Sequence, residues 1–164
     1  MPSPYQPSTL AIAQQIASYL ASQTYPLGGN VYTFGSVGIN KDLGDLLPPN
    51  GTNAVSEVIG TADDSQRHAI GGKMRDTQSF QVLSIVDFTN GPLAEEQIMN
   101  IRDAIMPQFA KHVSLEDVGN VLVAKYKQGS GRFTHVIRAA KPYRAHSFEL
   151  SVLSEWVSSG GFIA

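Results

Sequence analysis

The sequence predicts an α+β fold: one mostly antiparallel β-sheet with two amphipathic helices packed on it and a long loop or hairpin excursion between the early strands. Two observations predict it. Apolar residues recur at helical spacing in two separate segments, one near the start and one past the middle, and strict two-residue alternation marks the strands between and after them. A chain of 164 residues is long enough for one ordinary core and short for two, so the expectation is a single domain over 1–164.

The first helix is expected from about Ser8 to Gln23. Leu10, Ile12, Ala13, Ile16, Ala17, Tyr19 and Leu20 project to one side, and Gln14, Gln15, Ser18 and Ser22 to the other. Ser8 or Thr9 serves as N-cap, and Pro26 with Gly28-Gly29 stops the helix. Asn30 to Val37, NVYTFGSV, is rich in β-branched and aromatic residues and predicts the first strand. From Asn40 to Gly72 the periodicity weakens. Pro48-Pro49, Asn50-Gly51 and Asp63-Asp64-Ser65 predict turns, leaving only AVSEVI (54–59) as a strand within a loop excursion.

In HAIGGKMRDTQSFQVLSIVDF (68–88), Phe80, Val82, Val86 and Phe88 alternate with Gln81, Leu83, Ile85 and Asp87, which predicts a strand buried partly on both faces. Asn90-Gly91-Pro92 opens the second helix, with Pro92 at its first position and Glu95 and Glu96 in its first turn. Ala94, Ile98, Ile101, Ile105 and Phe109 form its apolar stripe, and Pro107 is expected to kink or end it. VLVAKYK (121–127) and RFTHVIRA (132–139) flank Gln128-Gly129-Ser130-Gly131 and predict a β-hairpin. In HSFELSVLSEWV (146–157), Phe148, Leu150, Val152 and Trp156 alternate with Ser147, Glu149, Ser151 and Glu155. Residues 158–164 are expected to be a C-terminal tail.

Composition narrows the function. With no cysteine, disulfides, thiolate metal sites and cysteine nucleophiles are excluded. A formal net charge of −2 leaves any charge-driven partner to a local patch. The N-terminal residues have no basic n-region, and no apolar run is long enough to span a bilayer, so a soluble protein without a standard secretion signal is expected. Gly71-Gly72-Lys73 lacks the spacing of a phosphate loop and precedes a strand, whereas such loops precede a helix. Gly129-Ser130-Gly131 fails on the same ground. His68, His112, His135 and His146 are scattered without metal-ligand spacing, and no Gly-x-Ser-x-Gly elbow occurs. Lys125, Lys127, Arg132, Arg138, Lys141 and Arg144 gather late and make a nucleic-acid face conceivable, but Glu149 and Glu155 stand ready to pair with them.

The order of elements resembles the tail terminator (tail completion) proteins of long-tailed bacteriophages. The resemblance rests on LAIAQQIASYL, then VYTFG, a long polar excursion, and IGGKMRDTQSFQVLSIVDF leading to LAEEQIMNIRDAIMPQF and C-terminal strands; it runs from about Thr9 to Val157. It implies a homohexameric virion ring that caps the tail tube, ends tail elongation and docks the head-side connector, assembled in the host bacterial cytoplasm. It brings no catalytic residue, metal or cofactor, no membrane, and no specific nucleic-acid partner, although DNA would pass through the lumen. On that resemblance Lys73, Arg75 and Asp76 become interface or lumen residues, while Gly129, Ser130 and Arg132, with the 40–72 excursion, become candidates for ring or axial contacts. The insertion from Asn40 to Gly72 and the end of the chain are not fixed by it. Alternatives are another neck or head-closure component, a minor tail component, a small ligand-binding or enzymatic α+β domain, and a nucleic-acid-binding module.

Overall fold

A computed structural model of the protein describes residues 9–39, 54–67, 73–110 and 121–157. Expected features at Ser8, Pro48 to Gly51, Gly71-Gly72 and 158–164 lie outside those residues. Helix α1 spans Thr9–Ala21 and buries Ile12, Ala13, Ile16 and Leu20, while Leu10, expected on that face, is exposed. Its end is made by side chains rather than by glycine. The Tyr19 carbonyl accepts from Ser22 N at 3.2 Å, Ser22 Oγ at 2.7 Å and Gln23 Nε2 at 3.3 Å.

The glycines act later. Strands β1 (Thr24–Leu27) and β2 (Asn30–Thr33) form a hairpin whose two-residue turn is Gly28-Gly29, both left-handed at φ 58° and 84°. That is the backbone a tight hairpin turn needs and the one that glycine adopts without strain. The single strand expected over Asn30 to Val37 is therefore two. Phe34 turns into the core after β2, and β3 (Ser36–Ile39) starts the main sheet.

That sheet contains β3, β4 (Val55–Arg67), β5 (Lys73–Asp87), β8 (Lys141–Val157) and β6 (Val121–Tyr126) in spatial order, with β7 (Arg132–Arg138) also paired to β8. Among the described residues only β3 and β4 run parallel; every other pair is antiparallel. The α+β expectation holds. Within the excursion, residues 60–67, expected as loop, continue the inner strand that starts at Val55; residues 40–53 and 68–72 lie outside the described residues. Asp63, Asp64 and Ser65 sit opposite Gln78, Thr77 and Asp76 instead of turning. Between Gly60 and Ala62 the register slips by one residue, and Thr61 returns Oγ1 to the Ser79 carbonyl at 3.1 Å.

The late hairpin also differs from expectation. β6 and β7 do not pair with each other. Both run along the same edge of β8, β6 opposite Leu150 to Ser154 and β7 opposite Lys141 to Ser147, with residues 127–131 bulged out between them. The true hairpin is β7–β8, closed by Ala139-Ala140 at φ 50° and 59°.

Helix α2 (Gly91–Ala110) starts at an Asn90 cap whose Oδ1 accepts from Leu93 N at 3.2 Å. Pro92 is thus its second residue, and the two glutamates lie beyond the first turn. Pro107 stays inside the helix because it removes one hydrogen bond only in the last turns, where buried Phe109 anchors the end. Ala94, Ile98, Ile101, Ile105 and Phe109 are all buried as expected.

Both helices cover one face of the sheet, over Val58, Phe80, Val82, Val86, Phe148, Leu150 and Val152. Tyr19 meets Phe109 edge-on at 5.1 Å between ring centroids, which joins the two helices. Tyr25 ties three elements together: its hydroxyl accepts from Ala54 N at 3.0 Å and from Gln97 Nε2 at 3.3 Å, and burial raises its pKa. The opposite face carries a smaller cluster of Leu83, Ile85, Tyr143 and Ala145, with Val136 against it.

Replacing Ile101 or Phe148 with Ala should cost about 2–5 kcal/mol in urea unfolding, as for other deletions in close-packed cores. Losses near zero for both would mean that these faces do not form the core. The β7–β8 turn predicts the opposite sign: Ala139→Asn with Ala140→Gly should stabilise by about 1–2 kcal/mol, because alanine is strained in the left-handed region. An unchanged or lowered midpoint would exclude that turn geometry.

Candidate functional site

The six candidate residues fall into two groups that the fold keeps apart. Lys73, Arg75 and Asp76 lie at the start of β5, in register with Val157, Glu155 and Ser154 of β8. Gly129, Ser130 and Arg132 lie beside Ser147 to Glu149, roughly 20 Å further along β8 at the usual strand rise. The side chains of Lys73 and Arg75 lie outside the description. Asp76 is buried, and its Oδ2 accepts from Gln78 Nε2, which also donates to Thr9 Oγ1 of α1. As a buried group bonded within the chain it is not a surface contact, which corrects the expectation for that residue. Neighbouring positions on an alternating strand face opposite ways, and Asp76 shares the inward phase of Phe80 and Val82.

The second group does converge. Gly129, Ser130 and Arg132 line an open cleft of about 420 Å³ with Gln81, Lys127, Gln128, Ser147, Phe148 and Glu149. The cleft exists because five residues, 127–131, stand opposite only Phe148 and Glu149 on β8. Gly129 makes the bend at φ 82°. Ser130 then closes the broken ladder: its Oγ donates to the Lys127 carbonyl at 2.6 Å and accepts from Glu149 N at 2.9 Å. Lys127 N reaches the Glu149 carbonyl at 2.8 Å. The bulge is therefore stapled to the sheet by bonds within the chain.

The late basic residues are largely occupied within the chain. Lys127 Nζ is 3.3 Å from Glu149 Oε2, Lys141 Nζ is 3.0 Å from Asp87 Oδ1, and Arg144 Nε is 2.6 Å from Glu95 Oε1. Burial pushes the Asp87 carboxyl upward, but hydrogen bonds from Lys141 and Thr89 outweigh it and hold the pKa below the ordinary value. Arg138 grips Glu57 with both terminal nitrogens, the second at 2.9 Å, in a pair shut away from solvent. Glu57 sits beside Leu83 and Ser147, six residues from Lys141 along β8. The contact therefore requires the β7–β8 hairpin to curl back over the second face of the sheet. Arg132 and Lys125 are exposed.

A buried polar row crosses the helix-covered face: Ser56, Ser84 and His146 lie side by side on β4, β5 and β8. Among the described residues Ser56 Oγ has no hydrogen-bond partner. His146 is 3% exposed, its ring 4.8 Å from Phe133 and 6.0 Å from Phe148. Desolvation, assisted by the nearby Arg102 and opposed by Asp103, lowers its pKa to about 4. Among the described residues no three His, Asp or Glu side chains come together to hold a metal ion, and no helix is long and apolar enough to cross a membrane. The row was missed in the sequence, although Ser84 and His146 fall in phase with Val82, Val86, Phe148 and Leu150, and that polar interruption of an inward series was its signal.

His146 gives the acid limb of stability a definite sign. Its pKa is near 6.5 in the unfolded chain and about 4 in the fold, so its contribution is complete above pH 6.5 and is lost as pH falls from there to about 4. The total is about 3 kcal/mol. His146→Gln should flatten the dependence of unfolding free energy on pH across that window, whatever it does to the absolute value; identical slopes in the two proteins would show that His146 titrates normally. No protein-family model matches the chain, and no curated protein matches it either.

Proposed function

We propose that this chain is a structural assembly subunit that acts through its surfaces, a tail terminator of a long-tailed bacteriophage. In this reading it forms a homohexameric ring on the tail tube, ends elongation and presents its other side to the head-side connector, within the virion neck. One observation carries the proposal. Along the β6–β7 edge, the cations that suggested a charged partner are mostly paired inside the subunit, while Phe133 and Ile137 of β7 are 43% and 77% exposed. What this surface offers outward is apolar side chain and open strand, which suits protein neighbours better than phosphate. The resemblance in element order adds to it, and the preformed 127–131 bulge supplies a rigid projection for an axial contact.

The expected outcome in solution is a closed ring, seen by analytical ultracentrifugation and as annuli in negative stain. Added to purified tail tubes, the protein should cap one end and stop further growth. Sedimentation as a monomer at all concentrations, together with unchanged tube growth, would refute the reading. Tight, salt-sensitive binding to DNA by a monomer would replace it with a nucleic-acid module.

A further inference from the structure

We infer that β7 is a subunit-pairing edge whose partner is β3 of a second copy of this chain, so that the main sheet continues from one subunit into the next. This rests on the ring reading above. The backbone dictates which groups are available. Arg138 and Lys141 flank a two-residue turn, so they form a pair that exchanges both hydrogen bonds, and the pattern alternates from there along the hairpin. The N–H and C=O groups of Ile137, His135 and Phe133 consequently point away from β8, toward the open edge.

Among the described residues no strand pairs with that edge, and the edge itself lacks the usual protection. Soluble proteins blunt an open strand with charge, proline or a bulge. Here both arginines of β7, Arg132 and Arg138, occupy the positions whose backbone faces β8, and no proline interrupts residues 132–138. The outward positions carry Phe133, His135 and Ile137, and Ile137 is 77% exposed. An added strand would satisfy three outward-facing backbone positions and cover two apolar side chains at once.

The partner follows from topology. A closed ring needs two unlike patches on each subunit. Among the described residues the main sheet ends at β3 on its other side, and Ser36–Ile39 is short and uncharged. β3 runs parallel to β4, and successive antiparallel steps through β5 and β8 leave β7 running opposite to β3. Repeating the sheet around a rotation axis therefore brings β7 of one copy against β3 of the next in antiparallel orientation, the more stable pairing. Pairing of β7 with a second β7 across a two-fold axis would stop at a dimer and leave both β3 edges open.

The chain has no cysteine, so introduced thiols report cleanly. Ile137→Cys is combined in turn with Ser36→Cys and with Gly38→Cys, to catch either register, and treated with a short thiol cross-linker. The expected result is a ladder of covalent oligomers ending at the ring, with each single variant remaining one chain on a denaturing gel. A dominant dimer from Ile137→Cys alone would overturn the inference in favour of two-fold pairing. No ladder from either double variant, while the unmodified protein still sediments as a ring, would overturn it and leave the ring reading standing. A monomeric unmodified protein would remove both. As a second readout, Ile137→Lys should keep its circular dichroism, because the side chain is exposed, yet lose the oligomer; an intact oligomer would exclude β7 as the junction.

Discussion

The pairing of β5 with β8 is the constraint on which the rest of the molecule depends. Every residue of β5, from Lys73 to Asp87, has a partner on β8, with no slip in register. Because side chains alternate strictly, that one register decides which residues enter the core. It aligns Phe80 with Leu150 and Val82 with Phe148 beneath the helices, and Leu83 with Ser147 and Ile85 with Ala145 on the other side. A shift by one residue would turn both apolar sets out of place together. Among the described residues the irregularities are confined to flanking strands: the extra residue near Thr61 on β4, the slip between Val121 and Val123 on β6, and the five-residue bulge before β7.

The two faces of this ladder are stabilised differently. Under the helices the sheet presents aromatic and branched side chains, broken by the Ser56, Ser84 and His146 row. On the other face the apolar cluster is small, and a buried carboxylate, Glu57, is met by a guanidinium from the far end of the β7–β8 hairpin. An ion pair of that kind adds little net stability over a well-packed apolar substitute, but removing one partner strands the other charge in the interior. Its role is therefore to specify where the hairpin rests. The same hairpin holds the strained alanine turn and the exposed edge, so the position of the open strand is set by a contact several elements away.

Much of this architecture was legible in the sequence, and the parts that were not share a cause. The stripe from Ala94 to Phe109 and the alternation around Phe80 and Phe148 are periodic signals, and the structure places those residues in the core. Asp63-Asp64-Ser65 resembles a turn because its composition is polar, yet it is strand, because β5 supplies a hydrogen-bonding partner that local sequence does not display. Ala139-Ala140 carries no turn signal, and the glycine-bearing 128–131 segment carries a strong one, so sequence placed the hairpin at the wrong point. In the first case pairing with β5 overrode local preference; in the second, β6 pairs with Leu150 to Ser154 of β8 instead of with β7, and β7 turns into β8 at two alanines. The candidate residues divide in the same way: Gly129 and Ser130 were recognisable as a glycine-bearing loop ahead of Arg132, whereas the burial of Asp76 depends on Gln78 and on Thr9 of a distant helix.

The unbroken central ladder also has a consequence for synthesis. Asp87 must wait for Tyr143, and Lys73 for Val157, so the innermost strand emerges from the ribosome long before the strand that completes it. In that interval β4 can occupy one edge of β5 and α2 one face, since both are close in sequence. The other edge remains a naked template, flanked by Leu83 and Ile85, for as long as translation needs to reach the last segment. Folding that depends on such distant partners is slow and exposes the chain to wrong pairing. A nascent chain is thus most vulnerable at the strand that is best protected once β8 has arrived.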